Sequence, residues 1–192
     1  MPRNGEEVHR RLQQAALELF CERGYDLTTA SEIAARAGVT ERTFFRHFAD
    51  KRDILFDREA SLRTALIKAI ADAPADLVPM QVLRIAFHAV EAILEDNRQF
   101  SAPRQAVIAA TPALQERELT KHASLIAAMA SALGERGLEA RLSTLAAQAG
   151  AAALSYAWTA WLDDASCDLK THLDRAFNQL SLLSSNPKSE LN

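Results

Sequence analysis

Glycine and cysteine are both scarce in this chain, with six and two among 192 residues. No Gly-rich phosphate loop occurs, and neither does a serine nucleophile elbow or a His-Glu-x-x-His metal motif. Cys21 and Cys167 lie far apart without metal or redox spacing, so two reduced thiols in a cytosolic protein are expected. His9, His47, His88, His122 and His172 are scattered singly. Nothing here asks for a catalytic centre, a metal or a cofactor, and no enzyme is expected. No apolar segment follows Met1, so secretion is not expected. The longest apolar stretch, Gly150 to Leu162, is too short and too polar to cross a membrane. A soluble, cytoplasmic chain is the expectation. Neither sign of charge dominates, since the net charge is −3, and this overall balance does not suggest a nucleic-acid binder.

What is abundant is leucine and alanine. Hydrophobic residues make up 48%, with few β-branched runs, which predicts an all-α protein. Val8, Leu12, Ala15, Ala16, Leu19 and Phe20 recur at helical spacing, so a first helix is expected from Glu6 to Arg23, with Cys21 as filler beside the stripe. Thr29 and Glu32 form a capping box that starts a second helix at Ala30. Gly38 ends it, and Thr40 caps a third helix, Glu41 to Phe48. Asp50 caps a long fourth helix carrying Ile54, Leu55, Leu62, Leu66 and Ile70 as far as Pro74. Further helices are expected from Pro79, from Ser101–Pro103, from Thr111–Pro112, over Leu138–Leu162 and over Asp168–Leu183, nine in all. Gly150 sits among alanines in the eighth, where a close helix–helix approach explains it.

Two short helices joined by a tight glycine turn have the grammar of a helix-turn-helix, whose second helix enters the DNA major groove. The first 56 residues hold nine Lys/Arg and nine Asp/Glu, so any positive face must come from the local cluster Arg42, Arg46, His47, Lys51 and Arg52. Arg42 has the fork geometry to read guanine or clamp a phosphate. Thr40 and Thr43 suit phosphate oxygens or thymine methyls, and Glu41 is expected on a base edge, an arginine or solvent. Phe44 and Phe48 are expected in the core, with Phe45 on the DNA-facing side. Lys51 at a helix start, and Thr29 at another, are expected to anchor phosphates.

The gapless run Thr29, Ile33, Ala34, Ala37, Gly38, Val39, Thr40, Phe44, Phe45, His47, Phe48, Lys51, Ile54 resembles the DNA-binding region of the tetracycline-repressor (TetR) family. One departure is Phe45, where the family most often has tyrosine, so a phosphate contact through that hydroxyl is missing. The resemblance implies His47 as a phosphate donor, whereas its residue type alone suggests a half-buried packing histidine. It implies a helix-turn-helix DNA-binding domain over 1–55, a helical ligand-binding and dimerisation domain over 56–186, and a frayed tail over 187–192. It also implies a homodimer through the last two helices and a palindromic operator. A small molecule would release the operator by shifting the sixth helix against the fourth.

For that small molecule the resemblance points to Phe87, His88, Phe100, Arg104, Ile108, His122, Met129, Tyr156 and Trp158. Arg104 would pair with an anionic ligand. The stretch from Thr111 to Gly137 is similar to a subgroup with acyl-coenzyme-A-like ligands. Two alternatives stay open: a dimeric DNA-binding protein without an effector, and a helical enzyme or carrier that no longer binds an operator.

Overall fold

The computed structural model describes residues 3–57, 59–95, 98–164 and 166–184. Among these the secondary structure is helical throughout, in ten segments. They are α1 (Arg3–Arg23), α2 (Ala30–Arg36), α3 (Glu41–His47), α4 (Asp53–Phe56), α5 (Glu59–Asp72), α6 (Pro79–Glu95), α7 (Arg98–Ala109), α8 (Pro112–Glu135), α9 (Ala140–Asp163) and α10 (Leu169–Ser184). The expected tail over 187–192 lies outside the described residues. No described helix is long and apolar enough to cross a membrane.

Two boundaries differ from expectation. The stretch expected as one fourth helix is described as α4 and α5, with Asp57 in helical dihedrals after α4 and Arg58 outside the described residues. Pro103 lies inside α7 rather than at its start, because the helix already begins at Arg98. An interior proline has no N–H to offer the carbonyl one turn back.

Packing divides the chain into two compact units, residues 1–59 with 98–120, and 60–97 with 121–192. The expected limits divide the chain by role; packing groups α7 with the N-terminal helices. The first unit is built around Leu12, Leu19, Phe20, Ile33, Phe44 and Phe48, joined by Val107, Ile108 and Leu114. The apolar stripe of α1 is seated in this core. Cys21 is exposed rather than filler, because the stripe passes it by.

In the second unit α6, α9 and α10 enclose Leu83, Phe87, Val90, Ala147, Ala151, Trp161, Leu173 and Phe177. At Gly150 α9 packs tightly on α6, since a Cβ built there would stand 2.7 Å from Leu83 Cδ1. Arg136 closes the C-terminal end of α5, donating to the carbonyls of Ile70 at 3.1 Å, Ala73 at 2.7 Å and Pro74 at 2.6 Å. A cation on the last carbonyls of a helix satisfies orphan acceptors and opposes its dipole.

Candidate nucleic-acid interface

The turn between α2 and α3 is fixed from both sides. Thr29 and Glu32 cap α2 reciprocally: the Thr29 N–H donates to Glu32 Oε2 at 2.9 Å, and the Glu32 N–H donates to Thr29 Oγ1 at 3.2 Å. The Thr29 N–H and then its hydroxyl, both donating to the carboxylate, hold Glu32 below its ordinary range. At the other end the Gly38 N–H reaches Ala35 O at 3.0 Å and the Val39 N–H reaches Ala34 O at 2.9 Å. Gly38 takes φ +66°, a region open to glycine. Arg11 reaches from α1 to donate to Ala37 O and to Gly38 O, the latter at 3.3 Å. Thr40 then caps α3, accepting from the Thr43 N–H at 3.2 Å.

Those constraints leave α3 with one face in the core and one outside. Phe44 is fully buried, anchoring the helix by about 1.5–3 kcal/mol of side-chain burial. One step round, Phe45 is 52% exposed. Glu41, Arg42 and Arg46 are exposed beside it, and positions 42, 45 and 46 share one helical face.

Charge on that face is unusually available. Arg36 pairs with Glu18 and Glu22, Arg23 with Glu32, and Arg52 with Asp50. Arg42 and Arg46 have no ion pair or hydrogen bond among the described residues, so both guanidiniums keep their donors for an outside partner.

Two residues expected on phosphate are otherwise engaged. The Lys51 ammonium donates to Tyr25 O at 2.7 Å and Thr28 O at 2.9 Å, approaches Asp26 O at 3.4 Å, and sits 4.2 Å above the Tyr25 ring. It ties α3's far end to the loop after α1. Thr29 has both its N–H and its hydroxyl on Glu32. Asp50 accepts from the N–H groups of Arg52 at 2.7 Å and Asp53 at 3.1 Å in the turn ahead of α4, but the N-cap of that helix is Arg52, which makes no side-chain cap bond.

His47 is half-buried, with Nε2 enclosed and unpartnered among the described residues. Its ring centroid is 5.8 Å from that of His9, which bonds Asp57 at 2.6 Å. Burial first, then the neighbouring His9 and Arg46 charges, hold the His47 pKa below its ordinary value. At neutral pH it is an uncharged ring, able to donate one N–H.

The residues expected around a small molecule fall in both units. Phe100, Arg104 and Ile108 belong to the first, and Phe87, His88, His122, Met129, Tyr156 and Trp158 to the second. Arg104 donates to Leu55 O, pairs with Glu118 at 3.2 Å, and lies 5.2 Å from the Phe56 ring. Arg117 works beside it, pairing with Asp53 at 2.9 Å. Together they fasten α4 to α7 and the start of α8. Phe87 and Met129 are fully buried, whereas Tyr156 is 56% exposed. His88 bonds Asp174 at 3.0 Å and Glu91 at 3.3 Å. A cleft of about 560 Å³ does open between α8 and α9, lined by Ala130, Gly134, Leu138, Ser143 and Thr144 among others, and none of the nine expected residues lines it.

Sequence reasoning missed Arg11 and Arg117, whose partners lie 26 and 64 residues away along the chain.

A capped, glycine-hinged helix pair with a free cationic face, carried by an all-helical body, defines a helix-turn-helix DNA-binding protein. The comparisons make the assignment specific. Residues 12–57 match the profile of bacterial regulatory proteins of the tetR family, and residues 77–182 match the MftR C-terminal domain, so the chain belongs to the tetR family.

Among curated relatives, the regulator TcmR of Streptomyces glaucescens is 38% identical over 86 residues, 45% of this chain and 38% of its own. The chain thus spans less than half the length of that relative. MftR of Mycobacterium tuberculosis, named as a mycofactocin biosynthesis transcriptional regulator, is 28% identical over 171 residues, 87% of this chain and 86% of that one. Among solved structures, the Thermus thermophilus FadR repressor in complex with lauroyl-CoA superposes with a TM-score of 0.57 at 22% identity, over 96% of this chain and 98% of that one. At that identity the likeness shows the fold.

Proposed function

We infer that the chain is a cytoplasmic transcriptional repressor that binds a palindromic operator as a homodimer and releases it on binding a small molecule. The observation that carries this reading is the pair of unengaged guanidiniums, Arg42 and Arg46, on the exposed face of α3. Residues 1–55 act as the DNA-binding domain, and α3 enters the major groove with Thr40, Glu41, Arg42 and Thr43 nearest the bases. Phe45, Arg46 and His47 follow on the backbone side. Thr29 and Lys51 act from behind, by holding the helix pair in shape.

Dimerisation is assigned to α9 and α10 within the 56–186 domain. Leu142, Leu145 and Tyr156 on α9, and Leu182 and Leu183 on α10, are large apolar side chains exposed on the single chain. Pairing two chains there would bury them and set two recognition helices about 34–36 Å apart, one DNA turn.

The effector is proposed to be anionic and acyl-CoA-like, as the lauroyl-CoA bound to the Thermus thermophilus FadR repressor suggests. It would enter the helical body near Phe87, His88, His122, Met129, Tyr156 and Trp158, displacing buried side chains such as Phe87 and Met129. Within the first unit Arg104 on α7 holds the Leu55 carbonyl of α4, so a displacement of α7 would be felt by α4. Release follows only if the effector binds the DNA-free conformation better. The filled core around Phe87 and Met129 favours a second reading, a dimeric DNA-binding protein without an effector.

One experiment addresses both. A duplex from the region upstream of the chain's own coding sequence is bound by the protein, and acyl-CoAs of several lengths are added. Retarded DNA released by an acyl-CoA supports the first reading, and retarded DNA untouched by any of them supports the second. No specific retardation overturns both.

A further inference from the structure

The junction between α9 and α10 gathers three side chains with the chemistry of metal ligands. An Asp164 carboxylate oxygen, Cys167 Sγ and one ring nitrogen of His172 all lie within 4.8 Å of one another. In the first helical turns after the junction, His172 is only 5% exposed, and its Nε2 is enclosed without a hydrogen-bond partner among the described residues. An orphaned ring nitrogen at that depth is costly unless something accepts or coordinates it.

The backbone around the three is held mostly by groups that are not ligands, although the Asp164 carboxylate also accepts from the Ser166 N–H at 2.8 Å. Asp164 ends α9, its N–H donating to Ala160 O at 2.9 Å. The start of α10 is capped by Asp168, which accepts from the Thr171 N–H at 2.8 Å, and by Glu95, which accepts from the Leu169 N–H at 2.9 Å. Cys167 is half-buried between them. Its sulfur is approached by the Ser166 hydroxyl at 3.7 Å and by Arg175 Nη2 at 3.8 Å. Arg175 is exposed and long, so its head can swing into solvent when another cation takes the sulfur.

We propose that Asp164, Cys167 and His172 form a divalent-metal site suited to zinc, with a fourth position open to water. The donor set is one thiolate, one imidazole and one carboxylate, a mixture that borderline-soft Zn²⁺ takes and that hard Mg²⁺ does not. Ligands on a tetrahedral zinc stand roughly 3.3–3.8 Å apart, from bond lengths of about 2.0–2.3 Å. The present spread of up to 4.8 Å therefore needs a closure of at most about 1–1.5 Å. Binding displaces the thiol proton of Cys167 to buffer, while His172 coordinates as the neutral ring. The ion would pin the end of α9 to the first turn of α10, a constraint independent of DNA binding.

Cobalt(II) is the probe, added to the reduced full-length chain and followed by its thiolate-to-cobalt charge-transfer absorption. One equivalent per chain should produce that band, zinc should abolish it, and excess magnesium should not. Cys21→Ser should keep the band, Cys167→Ser should lose it, and Asp164→Asn should weaken cobalt affinity at least tenfold. His172→Gln should do the same; because His172 is buried, Asp164→Asn carries the test if that variant does not fold. A band that survives Cys167→Ser, one lost in Cys21→Ser, equal affinity in Asp164→Asn, or no band at all overturns the site.

Discussion

Arg42 and Arg46 differ from Arg11, Arg23, Arg36, Lys51 and Arg52 in having no ion pair or hydrogen bond among the described residues. Arg42→Ala should therefore remove about 1–3 kcal/mol of discrimination between operator and mismatched duplex, if its fork reads a base; competition gel shifts with single-base variants measure it. Lys51 leads to a different expectation. Its ammonium is bonded to backbone carbonyls, and charged hydrogen bonds contribute about 1.5–3 kcal/mol each. Lys51→Ala should lower the unfolding midpoint of the first unit by the equivalent of about 2 kcal/mol, with the salt slope of DNA binding unchanged. A slope lowered by about one per chain, at constant stability, would return Lys51 to the phosphate. His47 brings a pH dependence. Its folded pKa lies below the unfolded value, so the unfolded chain takes up the proton first and stability falls as pH drops through the unfolded value near 6.5. His47→Gln should lessen the loss of stability between pH 7.5 and 5.5, and an unchanged loss would contradict the burial argument.

At the scale of elements, the caps were legible and the long-range ties were not. Thr29 with Glu32 and Thr40 with Thr43 bond across three residues, so residue type and spacing suffice to find them. Lys51 and Arg104 reach carbonyls 26 and 49 residues away, and nothing local marks such partners. Pro103 misled for a related reason: proline marks a first turn well, yet α7 begins five residues earlier and accommodates it. Gly150 was legible as a close approach, with Leu83 as the neighbour that only packing could identify. Gly150→Ala gains about 1 kcal/mol of helix propensity but crowds a filled core, which typically loses about 1–3 kcal/mol. A net loss of stability is expected, and pairing it with Leu83→Ala should show favourable coupling in a double-mutant cycle; strict additivity would place the glycine's role elsewhere.

On the scale of the whole molecule, the all-helical class and the DNA-binding head could be read from pattern. The packing units could not, because α7 lies far along the chain from the helices it packs with. Equilibrium sedimentation should find a dimer at micromolar concentration, and Tyr156→Glu with Leu145→Glu should shift it towards monomer. The most direct test of the central assignment is operator binding by the Arg42→Ala/Arg46→Ala variant, measured by anisotropy on the chain's upstream duplex across a range of salt. The double variant is expected to fold and dimerise like the parent, lose specific binding, and show a flatter salt dependence. A variant that binds this duplex as tightly as the parent, with the same salt slope, would contradict the assignment of α3 as the element that meets DNA.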